Sequence, residues 1–173
     1  CSRRGYRFVA APDTPHAAEV LPLLRTARLG RDCQYVEETG STNRDAAARA
    51  EAGAAEGLVV AAGAQRAGRG RQARVWHSPP GANLYFSLVL RPEVELARAA
   101  SLPLVVGLAV AEALEGLAPE ARPLVKWPND ILARGRKLCG ILCELQAETD
   151  RVRHIIAGVG VNVNLEPESL PAE

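Results

Sequence analysis

The residues best suited to binding an anion lie in one short segment, 66–75, with the sequence RAGRGRQARV. This cationic loop carries four arginines and no acidic residue, and guanidinium groups bind carboxylates and phosphates through paired hydrogen bonds. Its like charges repel one another, and ordering each residue costs about 1 to 2 kcal/mol. We therefore expect the loop to be mobile in the free protein and to become ordered around an anionic ligand, with Trp76 offering a flat face to a base.

Three other interpretations of the cationic loop stay open at this point. The motif G-x-G-x-x-A is formally present at 68–73, but a dinucleotide site requires a helix after it, and the sequence SPPG follows at 78–81. A Gly and Arg tract beside an aromatic residue also suits single-stranded nucleic acid, although the chain has only two Trp, three Tyr and two Phe. A solvated loop without function is the simplest alternative, and only motifs elsewhere argue against it.

Composition limits what the whole chain can do. Its 173 residues include 21 Lys and Arg against 20 Asp and Glu, for a net charge of +1. No field over the whole molecule attracts nucleic acid or an anionic membrane, so any basic function must be local. Arg, Glu and Gly interrupt every apolar run before the roughly 20 residues of a membrane span. We expect a soluble, cytoplasmic protein of one compact domain, or one domain plus a fragment of another.

Cysteine and methionine usage adds two expectations. A domain of this size needs no disulfides, so the cysteines indicate a reducing cytosol; they are Cys1, Cys33, Cys139 and Cys143. The C-x-x-x-C spacing of the last two is not that of common zinc sites, and the histidines are scattered at positions 16, 77 and 154. The chain contains no methionine, even at position 1, so we expect it to be a piece of a longer protein.

The hydrophobic pattern predicts a mixed order of elements. Helices are predicted over 15–29, 43–53 and 96–117, and strands over 33–38, 58–64, 83–90, 124–127, 137–145 and 152–163. Ser41 or Thr42 is expected to cap the second helix. The third helix is expected to bury an apolar face formed by Leu104, Leu108, Ala111, Leu114 and Leu117. Strands outnumber helices without regular alternation, which favours an α+β fold.

Three motifs in order along the chain carry a resemblance to a known family. The first is GRGRQARVW at 68–76, continued by SPPGANLYFS at 78–87. The second is KWPND at 126–130 followed by KLCGIL at 137–142, and the third is GVGVNVN at 158–164. With Ser-Thr-Asn at 41–43 and Gln65, this pattern closely resembles the biotin protein ligases. Lipoate ligases and octanoyltransferases share the fold and remain an alternative, but the cationic loop and KWPND point to the biotin branch.

The resemblance implies both a fold and a reaction. The fold is α+β, a mixed and mainly antiparallel sheet packed with helices, similar to class II aminoacyl-tRNA synthetases and biotin-lipoate ligases. The substrates are biotin and ATP, with Mg²⁺ as cofactor. Biotin attacks the α-phosphate of ATP to give biotinyl-5′-AMP, and a lysine of a biotin carboxyl carrier domain then receives the biotinyl group. No Ser-His-Asp or Cys-His arrangement is evident, so we expect no covalent enzyme intermediate.

The resemblance also assigns site residues by their match to the motifs. The residues matched to biotin binding are Ser41, Thr42, Asn43, Gln65, Arg69, Arg71, Lys137 and Gly140. Those matched to ATP binding are Arg69, Arg71, Arg74, Trp76, Asn129, Asp130, Lys137 and Asn162. Lys137, Arg71 and Asp130 are the expected catalytic residues, with Asp130 as the expected Mg²⁺ ligand. The family pattern usually has glycine where this chain has Ala73, so we expect a local difference in the loop.

The ends of the chain give the expected domain organisation. Residues 1–12 resemble the end of a winged helix-turn-helix domain, 13–32 a linker helix, and 33–173 the catalytic domain without the β-barrel domain that commonly follows it in the family. This arrangement suggests a parent that is both a ligase and a repressor of the biotin operon. DNA binding is then expected only through an N-terminal domain missing here, and the family resemblance favours a homodimer.

Overall fold

The computed structural model describes residues 13–148 and 151–165. Its strands are Cys33–Thr39 (β1), Val59–Gln65 (β2), Asn83–Leu90 (β3), Leu124–Lys126 (β4), Asp130–Ala133 (β5), Arg136–Glu148 (β6) and Arg151–Asn162 (β7). The α-helices are Ala17–Val20 (α1), Thr42–Glu51 (α2), Leu96–Ala99 (α3) and Leu102–Leu117 (α4). Short 3₁₀ helices occupy Leu21–Leu23, Arg71–Ala73 and Pro119–Ala121. The residues that resemble a winged helix-turn-helix, 1–12, lie outside the described residues.

One sheet of seven strands organises the described part of the chain, in the order β1-β2-β3-β7-β6-β5-β4. β1 and β2 are parallel, because α2 connects them as a crossover, and the remaining neighbours are antiparallel. The predicted mixed, mainly antiparallel α+β sheet is therefore confirmed. β1 lies at the edge of the sheet, as its alternating pattern predicts.

Helices α2 and α4 pack on opposite faces of this sheet. Beneath α2, one apolar cluster contains Ala46, Ala50, Leu58, Val60, Val89 and Ile156. Beneath α4, a second contains Ala111, Ile131, Cys139, Ile141, Val159 and Val161. Ile156 and Val159 belong to the same strand but to different clusters, since successive strand side chains alternate between the two faces. The alternation leaves Gly158 and Gly160 on the α2 face, where the candidate site forms.

The helices predicted over residues 15–29 and 96–117 need correction. The linker segment is helical only from Ala17 to Leu23, and residues 24–32 are not helical. Pro22 lacks the amide hydrogen that a continuing α-helix would use. The segment 96–117 is divided into α3 and α4 by a turn at 100–101. Strand β5 and the turn after it were not predicted, because four residues carry too short a pattern.

The apolar face predicted for the long helix is only partly right, since Ala111 is buried and Leu114 packs against the cluster beneath α4. Within α4 the buried residues are Gly107 and Ala111, whereas the side chains of Leu108 and Leu117 are 55% and 84% exposed. Small residues let the helix approach the sheet closely, since a Cβ on Gly107 would lie only 3.6 Å from Ile141 Cδ1. The first ten residues of α4 carry no charge, and only Glu112 and Glu115 further along mark an exposed side, so the apolar pattern alone does not indicate which side faces the sheet.

The stretch Leu96–Leu117 contradicts the expectation about membrane spans. By length and composition alone it is apolar enough to cross a membrane, with a mean hydropathy of 1.6 over its best window, so the expectation that every apolar run is too short is wrong here. In this fold the stretch connects β3 to β4, two strands of one sheet. Its packing on that sheet accounts for the buried part of its apolar surface.

Candidate active site

A floor of glycines lies at the centre of the sheet. Gly140 of β6 pairs with Gly160 of β7, and the indole of Trp76 covers both. A Cβ on Gly140 would lie 2.6 Å from Trp76 Cζ3, and one on Gly160 would lie 2.5 Å from Trp76 Nε1. Gly158, two residues before Gly160 on β7 and on the same face, lies directly under Asn43. Glycine at these positions is therefore a packing requirement of the ring and the amide above them.

An ion pair stands beside this glycine floor. Lys137 Nζ lies 2.8 Å from Asp130 Oδ1 and 5.1 Å from the centre of the Trp76 ring. The β5–β6 hairpin brings the two side chains together, because its register places Asp130 opposite Gly140. Asn162 supports the pair by donating a hydrogen bond from Nδ2 to the Lys137 carbonyl at 3.1 Å. The sequence predicted these residues for the site, and the fold brings them together.

A polar wall joins the start of α2 to the end of β2. Because β1 and β2 are parallel, their last residues, Thr39 and Gln65, pair with each other, and both strands finish at the same end of the sheet. Gln65 Oε1 accepts hydrogen bonds from Thr42 N at 2.9 Å and Thr42 Oγ1 at 3.2 Å. Gln65 Nε2 donates to Ser78 Oγ at 3.0 Å. Ser41 occupies the N-cap position but makes no side-chain capping bond, so the predicted capping is wrong and the Gln65 amide satisfies the helix end instead.

Behind this wall lies a buried network that sequence analysis did not predict. Ser87 Oγ, which is fully buried, donates to Asn43 Oδ1 or Thr42 Oγ1, at 2.6 and 2.8 Å. Asn43 Nδ2 donates to Glu144 Oε2 at 2.8 Å. Both the oxygen and the nitrogen of the Asn43 amide are therefore hydrogen-bonded to other side chains of the protein. The packing of α2 on the sheet creates this contact, and the sequence gives no local sign of it because Asn43 and Glu144 are 101 residues apart.

The cationic loop folds over the sheet as a distorted hairpin. Arg69 and Val75 form an isolated bridge, and Gly70 N donates to Arg74 O at 2.8 Å. Gln72 and Ala73 both have left-handed φ angles, of 55° and 59°. The chain therefore keeps a left-handed turn at the position where the family pattern usually has glycine, at a cost of about 1 kcal/mol for a residue with a Cβ. The mobility of the loop without ligand stays a prediction.

The loop arginines surround a cleft of about 900 Å³. Arg69, Arg71 and Arg74 line it, and Arg44 of α2 adds a fourth cation that sequence analysis missed. Arg71 Nη1 donates to Asn129 Oδ1 at 3.2 Å, across the cleft from the loop. No acidic residue is among the described residues that line this cleft. A cavity of this size and charge suits an anionic ligand.

The predicted site residues form two groups in the structure. The cleft is lined by Arg69, Arg71, Arg74 and Asn129. The glycine floor and polar wall hold Trp76, Gly140, Lys137, Asp130, Asn162, Ser41, Thr42, Asn43 and Gln65. Arg69 is adjacent to both, because it lines the cleft and also contacts Glu144 of the network at 2.8 Å. The predicted residues therefore occupy one continuous region.

Cysteine chemistry does not contribute to this region. Burial raises the pKa of Cys139 to about 12, although the charge of Lys137 opposes the shift. Burial also raises the pKa of Cys143 to about 11. Both thiols are therefore protonated near neutral pH and are poor nucleophiles. Among residues 13–148 and 151–165, no group of three or more His, Cys, Asp or Glu is placed to hold a metal.

Comparisons with known proteins agree with this arrangement. The model of the Biotin/lipoate A/B protein ligase family matches residues 35–162. The bifunctional ligase/repressor BirA of Bacillus subtilis is 42% identical over 171 residues, which are 99% of this chain and 52% of BirA. The chain thus spans about half the length of that relative.

Two solved structures have the same fold. The biotin protein ligase of Aquifex aeolicus in complex with biotin and ATP has a TM-score of 0.66 and 36% identity, over 82% of this chain and 55% of that one. The biotin protein ligase of Leishmania major in complex with biotinyl-5-AMP has a TM-score of 0.65 and 31% identity, over 79% of this chain and 59% of that one. The matched residues contain the cationic loop, the glycine floor and the polar wall, and the chain belongs to the Biotin/lipoate A/B protein ligase family.

Proposed function

We propose that this chain is the catalytic domain of a biotin protein ligase. It couples biotin to the AMP portion of ATP, which gives biotinyl-5′-AMP. It then passes the biotinyl group to a lysine of a biotin carboxyl carrier domain. The observation that carries the proposal is the placement of Lys137 beside the Trp76 ring, next to a cleft lined by arginines. Family membership supports it, as do relatives whose structures hold biotin with ATP or biotinyl-5-AMP.

In the first half-reaction the enzyme must bring two anions together. A biotin carboxylate oxygen attacks the α-phosphorus of ATP, the new C–O–P bond forms, and pyrophosphate leaves with the electrons of the broken P–O bond. Cations fixed in advance stabilise the charge that builds up on the phosphoryl oxygens. Lys137 supplies a compact charge for this step, whereas Arg69, Arg71 and Arg74 supply planar donors suited to carboxylate and phosphate.

In the second half-reaction a lysine amine of the carrier domain attacks the acyl carbon. The C–N bond forms, the C–O bond to phosphate breaks, and AMP leaves with the electron pair. Because the lysine has an ordinary pKa near 10.4, it must lose one proton before the attack and a second as the amide forms. We assign the acceptance of one proton to Asp130, which is 21% exposed and is the carboxylate in contact with Lys137.

The choice of biotin over other acids rests on the shape and polarity of the region. The ureido ring of biotin has two N–H donors and one carbonyl, each of which costs about 1 to 3 kcal/mol if it is buried without a partner. Ser41, Thr42 and Gln65 supply hydroxyl and amide groups at the wall. The Trp76 indole already lies on Gly140 and Gly160, so we place the fused rings of biotin along this wall rather than on the glycine floor.

Magnesium fits this donor set only together with the nucleotide. Asp130 supplies a carboxylate and Asn129 an amide oxygen, and Mg²⁺ commonly uses one or two carboxylates plus substrate phosphates. Bound there, the ion would neutralise phosphate charge. Asp130 would hold the ion while it also pairs with Lys137.

The remaining assignments concern the parent protein. We propose that residues 33–173 belong to the catalytic domain, that 13–32 link it to a preceding DNA-binding domain ending near residue 12, and that the protein works in the cytoplasm. The name of the Bacillus subtilis relative, a ligase and repressor, supports a parent that also represses transcription through that domain. We propose a homodimer for the parent.

One incubation tests the proposal. The purified chain is mixed with MgATP, biotin and a biotin carrier domain, and the carrier is analysed by intact mass. We expect the mass of one biotinyl group on one carrier lysine and pyrophosphate in solution. Parallel arms with lipoate and octanoate separate the biotin branch from its relatives. A folded chain that forms neither biotinyl-5′-AMP nor biotinyl carrier would overturn the proposal.

A further inference from the structure

Glu144 of β6 connects two parts of the candidate site that are far apart in sequence. One of its carboxylate oxygens, Oε2, accepts a hydrogen bond from Asn43 Nδ2 at 2.8 Å and another from Arg69 Nη1 at 3.2 Å. Its other oxygen, Oε1, lies 2.8 Å from Arg69 Nη2. A single carboxylate thus holds the start of α2 and the cationic loop against the same strand.

The contact with Arg69 has the geometry of a strong ion pair. Both guanidinium Nη atoms meet the carboxylate, one at each oxygen, which restricts the guanidinium to one plane. The side chains of Arg69 and Glu144 are only 41% and 32% exposed, so solvent screens the pair less than an open surface pair. The Asn43 amide fixes the carboxylate from the buried side, and Ser87 in turn fixes that amide.

Among the residues that the structure describes, neither Arg71 nor Arg66 is held over the cleft by a carboxylate. Arg71 meets the neutral Asn129 amide, and Arg66, at the start of the loop, pairs with Glu38 while its own side chain is 76% exposed. In the part of the chain that the structure describes, Glu144 is therefore the carboxylate that fixes a cleft-lining arginine of the loop. That arginine adjoins both the cleft and the buried network.

We propose that Glu144 is a positioning residue: before any ligand binds, it holds Arg69, and with it the cationic loop, over the sheet. This contact restrains the ligand-free loop without abolishing the mobility predicted for it, so the loop loses less conformational freedom when the ligand arrives. A ligand anion entering the cleft then shares the Arg69 guanidinium or takes it over from Glu144. The role in preparing the loop is independent of the reaction, whereas the exchange with biotin or ATP rests on the proposed function.

Trypsin provides a direct test, because the loop contains its own cleavage sites. Nicking after Arg71 and Arg74 is followed by mass in the ligand-free chain, under conditions where nicking reports the open population. Glu144→Gln keeps the shape and an acceptor for Asn43 but removes the charge. We expect it to be nicked about two to five times faster than wild type, the effect of losing one partly exposed ion pair. Arg69→Gln, which leaves Asn43 untouched, should give the same increase, and the double variant should add nothing further.

The matched control is Glu148→Gln on the same strand, which removes an exposed ion pair with Arg153 and should be nicked at the wild-type rate. Raising the salt concentration should accelerate nicking of wild type and of Glu148→Gln by the same factor. It should affect Glu144→Gln less, because salt screens a charge contact but not shape. Equal nicking of wild type and Glu144→Gln, or additive effects in the double variant, would overturn the proposal.

A ligand arm separates this inference from the proposed function. Biotin with ATP should slow the nicking of the loop in wild type. It should also reduce the difference in nicking rate between wild type and Glu144→Gln, because the ligand anion then holds Arg69. If biotin and ATP protect neither protein, the proposed function fails, while the ligand-free comparison still decides the role of Glu144.

Discussion

Lys137 Nζ lies 2.8 Å from Asp130 Oδ1 and 5.1 Å from the centre of the Trp76 ring. A carboxylate and an aromatic face thus hold one ammonium group in place. Such a group costs little reorganisation when negative charge develops nearby. The geometry therefore favours a role in transition-state stabilisation, which mutation can measure.

Replacing Lys137 with Ala should slow biotin adenylation by about 100- to 1,000-fold, the loss typical of one preorganised electrostatic contact. Biotin-dependent exchange between labelled pyrophosphate and ATP measures this step without a carrier. Arg136→Ala is the matched control, since it removes an exposed cation from the same hairpin and should leave exchange near the wild-type rate. Equal losses in both variants would argue against a specific role for Lys137.

Gly160→Ala should displace the indole that covers the glycine floor. The added Cβ would lie 2.5 Å from Trp76 Nε1, and overpacking of this kind costs about 1 to 3 kcal/mol. We expect a lower free energy of unfolding in urea and weaker ATP binding by calorimetry. Gly116→Ala is the control, because nothing lies within 4 Å of its added Cβ, and it should be neutral or slightly stabilising within α4. Unchanged nucleotide binding in Gly160→Ala would contradict the placement of Trp76.

Arg71→Gly should release biotinyl-5′-AMP before the carrier arrives. Arg71 lines the cleft and donates a hydrogen bond to Asn129 on its far side. The loss of Arg71 therefore removes one contact that holds the loop closed over the cleft. We expect faster escape of the adenylate and labelling of bystander lysines, detected by streptavidin blot of added albumin. Arg66→Gly, at the exposed start of the loop, is the control. Retention of the intermediate as tight as in wild type would refute this role.

The stability of the fold should fall in mild acid because of His154. This side chain is only 3% exposed, and burial, together with the charges of Arg91 and Arg153, lowers its pKa below the ordinary 6.5, while Glu51 opposes the shift. The unfolded chain therefore binds a proton at a higher pH than the folded chain does. The stability that His154 contributes is present above about pH 6.5 and is lost as the pH falls below it.

Urea unfolding at pH 7.5 and pH 5.5 measures this effect. His154→Gln should show a smaller drop in unfolding free energy between the two pH values than wild type. His77→Gln, at an exposed position, should behave as wild type does. If His154→Gln and wild type lose stability equally, carboxylates rather than His154 dominate the acid response.

Sequence analysis predicted the elements that carry a clear period and missed contacts that depend on strand pairing. Strand β3 begins and ends where the alternation of residues 83–90 indicates. The buried face predicted for the helix over 96–117 was right at Ala111 but wrong at Leu108, because the first ten residues of α4 carry no charge that would mark an exposed side. Glu144 carries no local signal, since its partners Asn43 and Arg69 come from other elements. Motif matching supplied the residues of the candidate site, and the fold shows which of them lie together.

The parallel pairing of β1 with β2 has a consequence for engineering. Both strands finish beside the candidate site, where Thr39 lies opposite Gln65, so the turn that returns the chain from α2 to β2 lies at the other end of these strands. At that turn Gly53 has open space around it, whereas Gly57 is crowded by the backbone of Arg28. Extra sequence spliced in next to Gly53, such as a purification tag or a fluorescent reporter, should therefore project away from the chemistry and leave ligand contacts unaltered.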